Sequence, residues 1–220
     1  MTQNQVIDQI RQFVKQKLDN EGTGHDWWHI ERVYNLAIAL AKREGADLFT
    51  VKVAALLHDI ADHKFNNGNS AIGAKIAKQL LIECGCKAEL AETVYTIINT
   101  MSYKGGTVSS KQETLEGKVV QDADRLDALG AIGIARTFAY GGSKGRELYN
   151  PEIKPQQYEN FESYKKSNSP TLNHFYEKLL LLKDLMNTES ATELAKKRTE
   201  YMKQYLQQFY SEWDALDFDA

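Results

Sequence analysis

Three short stretches of this 220-residue chain hold the residues that could do chemistry. His58-Asp59 closes the apolar run Val53-Ala54-Ala55-Leu56-Leu57. Burying an imidazole and a carboxylate there costs several kcal/mol unless something pairs with them, and a divalent cation pairs with both. His29 stands upstream in Gly24-His25-Asp26-Trp27-Trp28-His29. Downstream, Val119-Val120-Gln121-Asp122-Ala123-Asp124-Arg125-Leu126-Asp127-Ala128 sets acidic residues inside an apolar, Ala-rich helical pattern, where a charge is the informative exception. Neighbours on a helix are about 100° apart, so His58 and Asp59 can both reach an ion at the helix end. His29 and either Asp122 or Asp124 are the candidates to complete the set. Two imidazoles with two carboxylates suit Mn, Fe, Co, Ni or Zn better than Ca. Positions left for water and substrate make such a site catalytic, with the water acidified for attack on phosphorus.

The elements that must position these residues read as helices nearly throughout. Val6, Ile10, Val14 and Leu18 step by four along a first helix. Val33, Ala37, Leu40 and Ala41 stripe a second, starting near Trp27. Thr50 serves as the expected N-cap of a third, which carries His58 and Asp59 in its last turns. A fourth holds Ile72, Ile76 and Leu80 and ends at Cys84-Gly85-Cys86; a fifth holds Leu90, Val94, Ile97, Ile98 and Met101. A sixth is expected from about Leu115 to Tyr140, broken by Gly141-Gly142-Ser143-Lys144-Gly145. All three prolines, Pro151, Pro155 and Pro170, fall in the next stretch, so residues 141–170 read as a long loop of the kind that serves as a lid. Two amphipathic helices follow, one marked by Leu172 to Leu182 and one by Ala191 to Trp213. The expectation is a single all-α domain over residues 1–220, with its core at about 20–140 and a C-terminal helix pair within 171–213.

Composition narrows the class. Apolar content of 42% and charged content of 26% are ordinary for a soluble globular protein. A net charge of −3 gives nucleic acid no general attraction. No apolar stretch is long enough to span a bilayer, and the N-terminus lacks the basic and apolar regions of a signal peptide. Cys84 and Cys86 are too close in sequence for a structural disulfide, which points to a reducing cytoplasm. His174 reads as structural, His63 as exposed, and His25 as a helix-start hydrogen-bonding group. Trp27 and Trp28 read as core and wall.

Gly24-His25-Asp26-Trp27-Trp28-His29, Leu57-His58-Asp59-Ile60-Ala61-Asp62-His63-Lys64-Phe65, Asp122-Ala123-Asp124-Arg125-Leu126-Asp127-Ala128-Leu129-Gly130-Ala131 and His174-Phe175-Tyr176-Glu177-Lys178-Leu179 together resemble the HD superfamily of metal-dependent phosphohydrolases. Within it they resemble a bacterial subfamily of uncharacterised hydrolases and nucleotide pyrophosphatases. The resemblance implies an all-α HD-type fold and a metal held by His29, His58, Asp59 and Asp124, with Asp122 behind them. It implies Asp62 as the group that orients or deprotonates the attacking water. Lys64, Lys104, Arg32, Arg125 and Lys144 are the candidate phosphate contacts. The implied cofactor is one divalent transition metal, Mn first, with Ni, Co, Fe or Zn as alternatives. The implied activity is hydrolysis of a nucleotide, either a nucleoside triphosphate or a deoxynucleoside triphosphate. The alternatives are a cyclic-nucleotide phosphodiesterase and a nucleotide-sensing module without turnover. No nucleic-acid or membrane partner is expected.

Overall fold

The computed structural model describes residues 1–18, 26–60, 71–101, 111–156 and 169–219. Every regular element among them is a helix, as the periodicity predicts. None of these helices is long and apolar enough to cross a membrane. Two compact units are present: residues up to Asp124 form one, and described residues from Arg125 onward form the other.

In the first unit, α1 (Gln3–Lys17) opens with a capping box between Thr2 and Gln5 and buries Val6, Ile10 and Val14. Helix α2 (Trp27–Glu44) starts at the Asp26 cap and buries His29, Ile30, Val33, Ala37 and Leu40 along one stripe. It stops at Gly45, whose left-handed φ of 76° suits a residue without Cβ. Helix α3 (Leu48–Leu57) is almost wholly apolar, and Val51 and Val53 through Leu57 are all buried. It packs against α1, α2 and α5 (Ala88–Met101), which explains why its sequence shows no polar face. Helix α4 (Ala71–Glu83) forms a hairpin with α5, and α6 (Leu115–Asp127) follows. Gln112 ties the start of α6 to α5 by donating to the Ile97 carbonyl at 3.2 Å and to the Thr100 hydroxyl at 2.9 Å.

Two expectations for α3 need correction. Its N-cap is Asp47, whose carboxylate accepts from the Thr50 amide at 2.8 Å and the Thr50 hydroxyl at 2.7 Å. Those bonds hold the Asp47 carboxyl below the usual carboxylate range. The helix also ends at Leu57, so His58 is its C-cap and Asp59 lies in the turn beyond.

The expected sixth helix is two helices. Helix α6 stops at Asp127, and α7 runs from Gly130 to Ser143. Between them Gly130 takes a φ of 72°, and a Cβ there would lie 3.1 Å from the Arg198 side chain. Gly141 and Gly142, expected to break the helix, lie inside α7. The reason is a close approach: a Cβ on Gly141 would sit 2.1 Å from the Thr171 hydroxyl. The rest of the second unit comprises α8 (Asn173–Glu177), a 3₁₀ segment (Leu179–Leu185) and α9 (Glu189–Trp213). One amphipathic helix was expected across 172–182; α8 and the 3₁₀ segment stand in its place. Buried Phe175 and half-buried Phe138 and Tyr205 form an aromatic cluster in this unit, with ring centroids 5.8 to 6.1 Å apart. The expected loop is turn and irregular chain over 144–156, and its stretch 157–168 lies outside the described residues.

Burial pushes the His174 imidazole down to about 3, and the Lys178 and Arg146 charges push the same way. The fold therefore holds His174 neutral, while the unfolded chain protonates it near pH 6.5. Its contribution is present above pH 6.5 and is lost as pH falls toward 3, so urea unfolding should show His174→Gln flattening the acid side of the stability curve. A second test concerns Gly133, where a Cβ would lie 2.2 Å from the Ala128 carbonyl oxygen. Gly133→Ala should lower unfolding stability by about 1–3 kcal/mol, because backbone has to move to admit it.

Candidate metal site

Three helix termini or near-termini meet in the first unit. His29 is in the first turn of α2, His58 caps α3, and Asp124 lies near the end of α6. The two imidazoles point their Nε2 atoms at each other across 3.3 Å, with the ring planes inclined at 64°. An Asp124 oxygen stands 3.5 Å from Nε2 of His29 and 3.8 Å from Nε2 of His58. An Asp59 oxygen stands 3.9 Å from Nε2 of His29. One ligand atom from each of His29, His58 and Asp59 lies within 4.8 Å of the other two.

The backbone sets the His58 tautomer. Nδ1 is 2.8 Å from the Ala55 carbonyl, which can only accept, so Nδ1 carries a proton and Nε2 is the atom turned to the cluster. His29 is held through its main chain, its amide donating to the Asp26 carboxylate at 2.8 Å. Side-chain exposure rises from 1% at His29 and 4% at His58 to 17% at Asp59 and 40% at Asp124. The cluster is thus closed behind the imidazoles and open beside Asp124. Burial alone would depress the His58 pKa, but Asp124, Asp59 and the Ala55 bond outweigh it and raise the group to about 9. The same negative field that holds a proton there suits a cation.

The donor set fits a shared ion. Two donors about 2.1 Å from one ion lie roughly 3.0–3.4 Å apart at right-angled to tetrahedral geometry. The imidazole nitrogens match that at 3.3 Å, and the carboxylate oxygens at 3.5–3.9 Å stand slightly wider. Two nitrogens with carboxylate oxygens form a set for a borderline divalent metal rather than for calcium. Such a metal would be held by His29, His58 and Asp59, with Asp124 beside both imidazoles.

The other candidates are distributed unevenly. Asp122, two residues from Asp124, is fully buried. Arg32 lies one turn along α2 from His29 and is half-buried. Arg125 and Lys144 belong to the second unit: the Arg125 guanidinium donates to the Leu185 carbonyl, and the Lys144 ammonium lies 5.6 Å from the centre of the Tyr140 ring. Asp62, Lys64, Lys104, His25 and His63 lie outside the described residues. Sequence reasoning passed over Asp26, which holds the His29 amide, and the Ala55 carbonyl, which holds the His58 ring. Asp26 carried a signal in its place three residues before His29 at a helix start, whereas a backbone acceptor leaves no mark in residue type.

Comparison with known proteins identifies the family. Residues 27–129 match the HD domain family, a span running from the start of α2 to the break after α6. The Bacillus subtilis protein YpgQ is 39% identical over the full length of both chains. A crystal structure of YpgQ in complex with ADP superposes with a TM-score of 0.77 at 41% identity, covering 96% of this chain and 97% of that one. An HD-superfamily hydrolase from Bacillus thuringiensis is 47% identical with a TM-score of 0.77, covering 97% and 100%. A protein from Lactobacillus plantarum is 40% identical with a TM-score of 0.84, covering 98% and 100%.

The electrostatics of the cluster can be tested without metal. In chelator-stripped protein, Asp124→Asn removes the principal stabiliser of charged His58, so its pKa, read by NMR titration, should fall from about 9 toward the ordinary 6.5.

Proposed function

This chain belongs to the HD superfamily of metal-dependent phosphohydrolases, and from that premise we propose that it hydrolyses nucleoside or deoxynucleoside triphosphates with manganese as its metal. The observation that carries the proposal is the pair of buried imidazoles presenting Nε2 atoms 3.3 Å apart beside two carboxylates. The nucleotide part of the reading draws on YpgQ, which has been crystallised with ADP. In this reading Asp124 is the fourth ligand, supported by its separations of 3.5 and 3.8 Å from the two imidazoles. When bound, the divalent cation supplies Lewis acidity toward water and neutralises phosphate charge.

The chain's own residues do the rest. His29 and His58 close the inner side, so substrate approaches past the more open Asp124. Arg32, in the same unit and one turn from His29, is the cationic side chain best supported for the phosphates. Asp62, three residues after Asp59, takes the proton as the water oxygen bonds to phosphorus and the bridging P–O bond breaks. The nucleotide then leaves as the shortened product with phosphate or pyrophosphate. Lys64, Lys104, Arg125 and Lys144 remain further candidates for phosphate contact. A cytoplasmic location accords with two free cysteines and with the substrate class.

The experiment is a substrate panel with Mn²⁺: nucleoside mono-, di- and triphosphates and cyclic nucleotides, followed by phosphate and pyrophosphate release. Triphosphate turnover is expected, with metal content and turnover lost together in His58→Ala and in Asp59→Ala. Turnover of cyclic nucleotides alone, tight binding without product, or full activity in His58→Ala would each overturn the proposal.

A further inference from the structure

We propose that Asp26 is a positioning residue for the metal site, fixing the backbone from which the His29 imidazole is aimed. The inference rests on the metal-site reading of His29 given above. Asp26 is extended, with φ −81° and ψ 175°, and immediately precedes α2. Its carboxylate accepts from the His29 amide at 2.8 Å, and its carbonyl accepts from the amides of His29 at 3.1 Å and Ile30 at 3.3 Å.

Those amides belong to the first turn, where a helix has no carbonyl of its own to offer. His29 is 0% exposed, so water does not readily replace the carboxylate as a partner for its amide. Among the described residues, the side-chain caps of other helices hold amides with no role in the cluster: Thr2 accepts from Gln5, Asp47 from Thr50, and Thr114 from Gly117. Among the described residues, only the α2 cap accepts from the amide of a residue in the cluster. Without it the first turn loses one of its anchors, and the imidazole on that turn loses its defined place opposite His58. A fixed place matters because two donors share one ion only while their 3.3 Å separation is kept.

The test uses the full-length chain stripped with chelator, comparing wild type, Asp26→Gly and Asp26→Asn. Mn²⁺ dissociation constants are read from the EPR signal of free Mn²⁺, and circular-dichroism melts are run on the metal-free proteins. Glycine at an N-cap costs a helix only a few tenths of a kcal/mol, so Asp26→Gly should retain the fold and the backbone carbonyl contacts while removing the carboxylate acceptor. Its Mn²⁺ affinity should fall by about 10–100-fold, the usual loss when a partner that orients a ligand is removed. Asparagine caps as well as aspartate, so Asp26→Asn should bind within about 3-fold of wild type. Should Asp26→Gly not fold, Asp26→Ala takes its place in the same comparison. Wild-type affinity in the glycine or alanine variant overturns the inference. So does an asparagine variant as weak as the glycine one, since the effect would then be charge rather than placement. Failure of wild type itself to bind Mn²⁺ overturns the metal-site reading instead, which keeps the two failures distinct.

Discussion

Two imidazole nitrogens 3.3 Å apart in a closed environment cannot both present lone pairs to empty space. Something positive has to stand between them or beside them, either a proton or a cation. Asp59 and Asp124 make the place negative, and burial on the imidazole side keeps water from screening that field. Much of the first unit can be understood as the means of meeting this one requirement. It brings two bases and two acids from three helices to one point and keeps the inner side dry.

The helix termini are where that requirement shapes the fold. Helix α3 is apolar on all sides because α1, α2 and α5 cover it, and it ends as soon as the dyad is reached. His58 keeps helical dihedrals (φ −60°, ψ −30°) as the cap of α3, and both it and Asp59 in the turn beyond stand beside His29. The His58 ring then returns a proton to the Ala55 carbonyl of the helix it has just left. Helix α2 meets the site with its opposite end, where the Asp26 cap defines the first turn. One imidazole is thus oriented through its ring and the other through its main chain.

The second unit depends on close approach rather than on charge. Gly141 lets Thr171 lie against α7, Gly133 lets α7 turn back against Ala128, and Gly130 admits the Arg198 stem. Its core is largely aliphatic, with buried Phe175 in ring contact with half-buried Phe138 and Tyr205. Neutral His174 belongs to this packing and contributes to stability only while pH stays above the range in which a free imidazole protonates.

Residue types and their periodicity were enough to establish the helical class, the stripes of α1, α2 and α5, and the kind of chemistry that His29, His58, Asp59 and Asp124 could do. These features are legible because burial periodicity and donor chemistry reside in the residues themselves. Helix ends were less legible. Asp47 displaced Thr50 as a cap because its carboxylate reaches the Thr50 amide, and Gly141 is a glycine inside α7 because Thr171, 30 residues downstream, occupies the space a Cβ would fill. Only the tertiary structure decided that Asp124 stands 3.5 and 3.8 Å from the two imidazoles, that Asp26 holds the His29 amide, and that the Ala55 carbonyl holds the His58 ring. Those outcomes rest on separations of a few tenths of an ångström between segments distant in the chain. Sequence spacing carries no such distances; packing sets them.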